Sequence, residues 1–121
     1  NARCWVSMGQ LRYLSAMARV DAVVGNSSSG LYEAPSFGVP TVNIGGRQDG
    51  RPRAASVIDC EPQRGAIEAA IRSAFQMDCA GVVNPYGDGG SAARVVSVLE
   101  SVRDFSSLVR KRFVDRGKVN P

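Results

Sequence analysis

Seven residues in two short stretches carry the groups from which a binding site could be built. Ser27, Ser28, Ser29, Gly30 and Glu33 fall within Gly25-Asn26-Ser27-Ser28-Ser29-Gly30-Leu31-Tyr32-Glu33, and Arg47 and Arg51 follow about a dozen residues later. Hydroxyls and a glycine at the start of a helix suit an anion. First-turn N–H groups lack helical partners there, the helix dipole adds partial positive charge, and serine adds a donor without bulk. We read this stretch as a phosphate cradle. On residue types alone a plainer reading stands beside it, in which the serines and Asn26 are turn formers and caps. Glu33 is likewise an ordinary carboxylate favoured near a helix start.

The elements needed to hold those groups can be read from the flanking pattern. Ala22-Val23-Val24 is a continuous apolar run, as in a parallel strand covered on both faces. A helix is expected over Gly30 to Phe37, with Pro35 tolerated within its first turns and Gly38 as a left-handed stop. Pro40 then opens a strand from Thr41 to Ile44, where a proline does not interrupt the ladder. Gly45 to Arg53, with Arg47, Arg51 and Arg53, reads either as a solvated connection or as a basic flap. Its position at the carboxyl end of a strand is where open parallel sheets collect ligands.

Around this centre, Arg3 to Val6 is expected as a first strand. Met8 to Arg19 is expected as a helix, with Leu11, Leu14, Met17 and Ala18 on one face. Val57 and Ile58 form a further strand ending near Cys60. Pro62 to Met77 keeps helical spacing at Ile67, Ala70, Ile71, Ala74 and Phe75, with Glu68 and Arg72 as an exposed pair. Asp78 to Gly90 is irregular, and its Asn84, Tyr86 and Asp88 read as a solvated connection. Ser91 is expected to cap a helix carrying Val95, Val98, Leu99 and Val102. A last helix is expected from Asp104 to Asp115, packing Phe105, Leu108, Val109 and Phe113. The pattern has about four strands and implies an α/β, parallel-sheet, Rossmann-like three-layer domain.

The composition narrows the function classes. At 121 residues the chain has the length of one domain, 1–121, and it begins at Asn1, so a piece of a larger protein is expected. Hydrophobic residues make up 44% and charged residues 21%, which is ordinary for a globular domain, and no apolar run approaches the roughly 20 residues a membrane span requires, so no membrane role is expected. The net charge of +4 permits an anionic ligand. Much of that excess lies at Arg110, Lys111, Arg112, Arg116 and Lys118, without interleaved aromatics, so nucleic acid is not expected. Cys4, Cys60 and Cys79 are odd in number and widely spaced, which fits buried, reduced thiols in a cytoplasmic protein better than a disulfide framework or a metal site. There is no histidine, so the chain supplies no imidazole as base, acid or metal ligand. Neither a cofactor nor a metal is expected.

The ordered string Gly25-Asn26-Ser27-Ser28-Ser29-Gly30, then Glu33 through Gly45, then Arg47-Gln48, Gly50 and Arg51, closely resembles the hydrolysing UDP-N-acetylglucosamine 2-epimerases of sialic and legionaminic acid synthesis. The similarity extends more weakly from Gly9 to Cys60. At Gly46 the chain departs from relatives that carry a polar residue there. The resemblance implies a partial second domain of a two-domain fold of the B-type glycosyltransferase kind. Its partner would be a missing N-terminal domain that holds the catalytic carboxylates, and the parent enzyme would be a homo-oligomer. It implies that Ser27 and Ser28, with the backbone of Ser29 and Gly30, bind the UDP diphosphate. Glu33 would accept both ribose hydroxyls, Arg47 would stabilise departing UDP, and Arg51 would be a second cation. The activity implied is conversion of UDP-N-acetylglucosamine and water to N-acetylmannosamine and UDP, with this piece alone inactive.

Three other functions share the same residues: hydrolysing epimerisation of a UDP-2,4-diacetamido sugar, transfer of a sugar by a B-type glycosyltransferase, and non-catalytic sensing of a UDP-sugar. Fold analogy does not separate them.

Overall fold

The pattern of β-branched and apolar residues between turn formers produces a parallel sheet in the computed structural model, which describes residues 2–109. Its strands are β1 (Val23–Gly25), β2 (Thr41–Ile44) and β3 (Val57–Cys60), in the order β1-β2-β3. Val23 lies opposite Thr41 and Thr41 opposite Val57, while Asn43 lies opposite Asp59. Side chains alternate across a strand, so each face has its own cover. Val42 and Ile44 pack with Ile58 and Cys60 against Ala70, Ile71 and Ala74 of helix α3 (Arg64–Ala74).

The other face carries Val23, packed with Met17, Ala34, Val39 and Tyr13. These come from helix α1 (Gly9–Met17) and from the segment after β1, which contains the one-turn helix α2 (Ser29–Tyr32) and a 3-10 turn, Ala34–Phe37. Helices on both faces of a parallel sheet make the α/β, Rossmann-like architecture expected. Leu31 and Val42 are fully buried, and each contributes about 1.5–3 kcal/mol of hydrophobic stabilisation.

Two local expectations concern the site directly. Gly38 is left-handed, at φ 65° and ψ 29°, and stops the 3-10 turn as expected. The continuous helix over Gly30 to Phe37 does not form. Pro35 has no N–H to bond four residues back and its ring crowds that carbonyl. The chain therefore tightens at Glu33, where Ser36 N donates to the Glu33 carbonyl at 3.0 Å. The basic flap contains another 3-10 turn, Gly46–Gln48.

Other differences have equally local causes. Arg3 to Val6 is not a strand, so the sheet of the described residues has three strands rather than four. That segment is exposed and makes no ladder with the described strands. Met17 turns into the core while Leu11 is exposed, and Phe75 lies just beyond α3 and is exposed too. Glu68 pairs with Arg64 at 2.9 Å rather than with Arg72, the two arginines lying one turn to either side of it on the same helix face.

Residues up to Asp88 form one compact unit and a second begins at Gly89. The second unit contains helix α4 (Ser91–Ser101), with no buried residue, and a 3-10 turn, Phe105–Leu108. Ser91 is the first helical residue rather than its cap, a place taken by left-handed Gly90. The remainder of the expected last helix, including Phe113, and the late basic cluster lie outside the described residues.

Candidate functional site

The site grows from the carboxyl end of β1, where a three-residue strand gives way to Asn26 and the serines. Ser29 N–H bonds the Ser27 hydroxyl at 3.3 Å, and Gly30 N–H bonds the Ser27 carbonyl at 3.2 Å. Two donors expected to face an anion are thus engaged within the turn. With α2 only one turn long, the dipole contributes little, since it depends on many aligned peptide units. The polar character of the turn rests on its hydroxyls, and no side-chain bond caps the helix from Ser28.

Glu33 follows one turn later. Its Oε2 accepts a hydrogen bond from the Ser29 hydroxyl, and the Ser29 oxygen lies 2.5 Å from the Tyr13 hydroxyl. Tyr13 belongs to α1, so this chain of three groups joins two elements and restrains the carboxylate. Ser27, Ser29 and Glu33 line an open cleft of about 710 Å³ whose other lining residues include Trp5, Val6, Met8 and Tyr13. A restrained carboxylate beside hydroxyls and an aromatic surface can accept hydrogen bonds from a polyhydroxyl ligand.

Gly30 is placed by packing. A Cβ there would lie 2.5 Å from Thr41 Cγ2, and the Thr41 hydroxyl donates to the Gly30 carbonyl at 2.9 Å. Only a glycine lets α2 approach β2 this closely.

The two flap arginines are held differently. Arg47 is exposed and its Nη1 lies 3.4 Å from Asn26 Oδ1, a long contact at the start of the serine turn. Arg51 donates to Gln48 Oε1 at 2.8 Å, and its guanidinium carbon sits 5.5 Å from the centre of the Tyr32 ring. Gln48 is buried and donates through Nε2 to the Asn26 carbonyl at 2.6 Å. The flap is therefore pinned to the serine turn, although neither Arg47 nor Arg51 lines the cleft beside Glu33.

Arg53 is taken up by carboxylates. It pairs with Asp59 at 2.7 Å and Asp49 at 3.3 Å and also donates to the Arg51 carbonyl. Sequence reasoning misses Tyr13 and Tyr32, gives Gln48 no role and reads Tyr86 as part of a solvated connection, yet all four touch site residues or their neighbours. Partial burial and the adjacent Tyr32 push the Tyr86 hydroxyl above the usual tyrosine range, against the pull of Arg51 and Arg53. Among the described residues no group of three or more histidine, cysteine or carboxylate side chains could hold a metal ion. No helix among them is long and apolar enough to cross a membrane.

Residues 1–100 match the family model described as UDP-N-acetylglucosamine 2-epimerase. The chain belongs to this epimerase family. A hydrolysing UDP-N,N'-diacetylbacillosamine 2-epimerase of Legionella pneumophila is 35% identical over 99 residues, covering 82% of this chain and 26% of that relative. A hydrolysing GDP/UDP-N,N'-diacetylbacillosamine 2-epimerase of Campylobacter jejuni is 47% identical over 60 residues, 50% of this chain and 16% of its own length. A UDP-N-acetylglucosamine 2-epimerase of Neisseria meningitidis is 29% identical over 106 residues, 85% of this chain and 28% of that enzyme. The chain thus spans about a quarter or less of each of these three epimerases. The family match contains the serine turn, Glu33 and both flap arginines.

Proposed function

We propose that this chain is the UDP-binding part of a hydrolysing UDP-N-acetylglucosamine 2-epimerase. The observation that carries the reading is the Glu33 carboxylate, held by the Ser29 hydroxyl at the edge of an open cleft and next to a serine turn. A carboxylate is a natural acceptor for the two hydroxyls of a ribose, and with the Ser29 hydroxyl on Oε2, Glu33 keeps Oε1 and the second lone pair of Oε2 for them. The Ser27 and Ser28 hydroxyls would donate to the diphosphate. If the backbone of Ser29 and Gly30 is to join them, ligand binding must displace the bonds these groups make within the turn. Arg47 and Arg51 would supply positive charge as the diphosphate departs, stabilising the leaving group.

In the reaction, a carboxylate elsewhere in the parent enzyme would take the proton from C2 of the sugar. UDP would leave from C1 to give a glycal, and water would add with inverted configuration at C2. One water is consumed and N-acetylmannosamine and UDP are released.

The names of the relatives favour a second reading, in which the substrate is a UDP-2,4-diacetamido sugar. The Legionella and Campylobacter proteins, at 35% and 47% identity, carry such a name, against 29% for the Neisseria UDP-N-acetylglucosamine enzyme. The full-length protein, offered both nucleotide sugars in parallel, tests the two readings. UDP release with an epimerised free sugar from one of them selects between the two. Release from neither sinks both, and product formation that requires an added acceptor points to a glycosyltransferase.

A further inference from the structure

Residues 78–90 contain neither helix nor strand, yet this segment is fastened to both halves of the site. Asn84 Nδ2 donates to the Tyr32 carbonyl at 2.8 Å and to the Ser36 hydroxyl at 2.7 Å. Its Oδ1 accepts the Tyr86 N–H at 2.9 Å, which orients the next contact. The Tyr86 ring lies 3.9 Å from the Tyr32 ring, centre to centre and tilted by 39°. The Tyr86 hydroxyl donates to the Pro52 carbonyl at 3.0 Å.

These partners matter for where they stand. Tyr32 immediately precedes Glu33, and its carbonyl belongs to the last turn of α2, where helical carbonyls lack partners. Pro52 immediately follows Arg51, and the Arg51 guanidinium lies over the same Tyr32 ring that Tyr86 contacts. A tyrosine ring is a stiff connector, with only two side-chain torsions to restrain. The aromatic contact, the hydroxyl bond and the paired Asn84 bonds together fix the flap relative to α2.

We infer that Asn84 and Tyr86 form a clasp that sets the placement of Arg51 relative to Glu33, with Tyr86 as a positioning residue for the site. In its catalytic consequence the inference rests on the proposed nucleotide-binding role of Glu33 and Arg51. The clasp itself is a statement about this chain and has a readout that needs no ligand.

The test compares Tyr86→Phe, Tyr86→Ala and Asn84→Asp in the full-length protein by hydrogen exchange over residues 45–53 and by steady-state kinetics with both UDP-sugars. Tyr86→Ala is expected to speed exchange in the flap and to lower kcat/KM by on the order of 10- to 100-fold, since small misplacements of a charge-stabilising group are costly. Tyr86→Phe keeps the ring contact and loses the Pro52 bond, so it falls between. In an Arg51→Ala background, Tyr86→Ala is expected to add less than about twofold, because coupled residues are not additive. A merely structural tyrosine would lower activity by the same factor in both backgrounds, and that result overturns the proposal. So does unchanged flap exchange in Tyr86→Ala. Should Tyr86→Ala fail to fold, Tyr86→Phe and Asn84→Asp decide the matter by the same exchange measurement. If the unmodified protein turns over neither UDP-sugar, the functional reading falls, and flap exchange alone decides whether the clasp stands.

Discussion

The Ser29 hydroxyl donates to Oε2 of Glu33, one helical turn away, and in doing so ties the carboxylate to Tyr13 of α1. A side chain with three torsions is thereby held at the edge of the cleft. Under the proposed reading, Ser29→Ala frees Glu33 and weakens UDP binding by about 1 kcal/mol, roughly fivefold, the typical net contribution of one hydrogen bond. Tyr13→Phe leaves the Ser29 bond to Glu33 in place and should cost less. Calorimetry with UDP on the full-length protein ranks the two. Equal affinities for Ser29→Ala and the unmodified protein would remove the Ser29 bond from the binding account.

Gly30 tests the packing beneath the site rather than its chemistry. A Cβ at this position would meet Thr41 Cγ2 at 2.5 Å. Gly30→Ala should therefore destabilise the fold by about 1–3 kcal/mol, the usual range for overpacking. Thr41→Ser removes that methyl and keeps a hydroxyl for the Gly30 carbonyl, so the double variant should recover part of the loss. Urea midpoints of the four proteins measure the coupling, and strict additivity would show that the two side chains do not collide.

The features legible in advance were those that a short window of sequence determines. Gly38 could be assigned as a left-handed stop, and Thr41 to Ile44 as a strand, because backbone sterics and β-branched, apolar residue types act within a few residues. The break at Glu33 was less visible, since it depends on where the helix begins: with Ser29 as its first residue, Pro35 falls in the second turn, where its missing N–H and its ring are no longer tolerated. The contacts of Tyr13, Gln48, Asn84 and Tyr86 were illegible for another reason, and Asn84 and Tyr86 accordingly read, on sequence alone, as a solvated connection. The partners of all four lie 16 to 52 residues away in Ser29, Asn26, Pro52 and Tyr32, and no local spacing encodes such a meeting. Arg3 to Val6 shows the converse, an extended-looking run that forms no ladder with the described strands.

Gln48 is buried between two site groups, with its amide nitrogen on the Asn26 carbonyl and its amide oxygen on Arg51. Gln48→Leu preserves volume and strips both bonds, leaving a carbonyl and a guanidinium without that partner. The expected loss is about 1–3 kcal/mol of folding stability, the penalty for an unsatisfied buried polar group. Gln48→Glu retains an acceptor for Arg51 but sets a carboxylate against the Asn26 carbonyl. It should lose stability while keeping Arg51 engaged. Denaturant unfolding and UDP affinity, measured together, separate the two effects: Gln48→Leu should lower both, whereas Gln48→Glu should lower stability with less effect on affinity. Indifference of both quantities to Gln48→Leu would mean that the flap is held by other contacts.

The cysteines give a prediction in pH. Burial, then the charges of Asp59 and Glu61, push the Cys60 thiol above its ordinary value, and burial with Asp78 does the same to Cys79, while Cys4 is exposed. Alkylation requires the thiolate. At about pH 7.5, Cys4 should label first and Cys60 and Cys79 more slowly, while all three should label alike in denaturant. A raised folded-state value means that the folded protein keeps these protons longer than the unfolded chain does. The resulting stability is fully present below the unfolded thiol value of about 8.5 and is lost as pH rises through the higher folded values. Denaturant midpoints should therefore be flat in this contribution near neutrality and decline in the alkaline range. Glu61→Gln removes one of the charges that hold Cys60 protonated, so it should speed Cys60 labelling relative to Cys79. If that ratio does not move, burial and Asp59 govern Cys60 and the Glu61 carboxylate has no part in it.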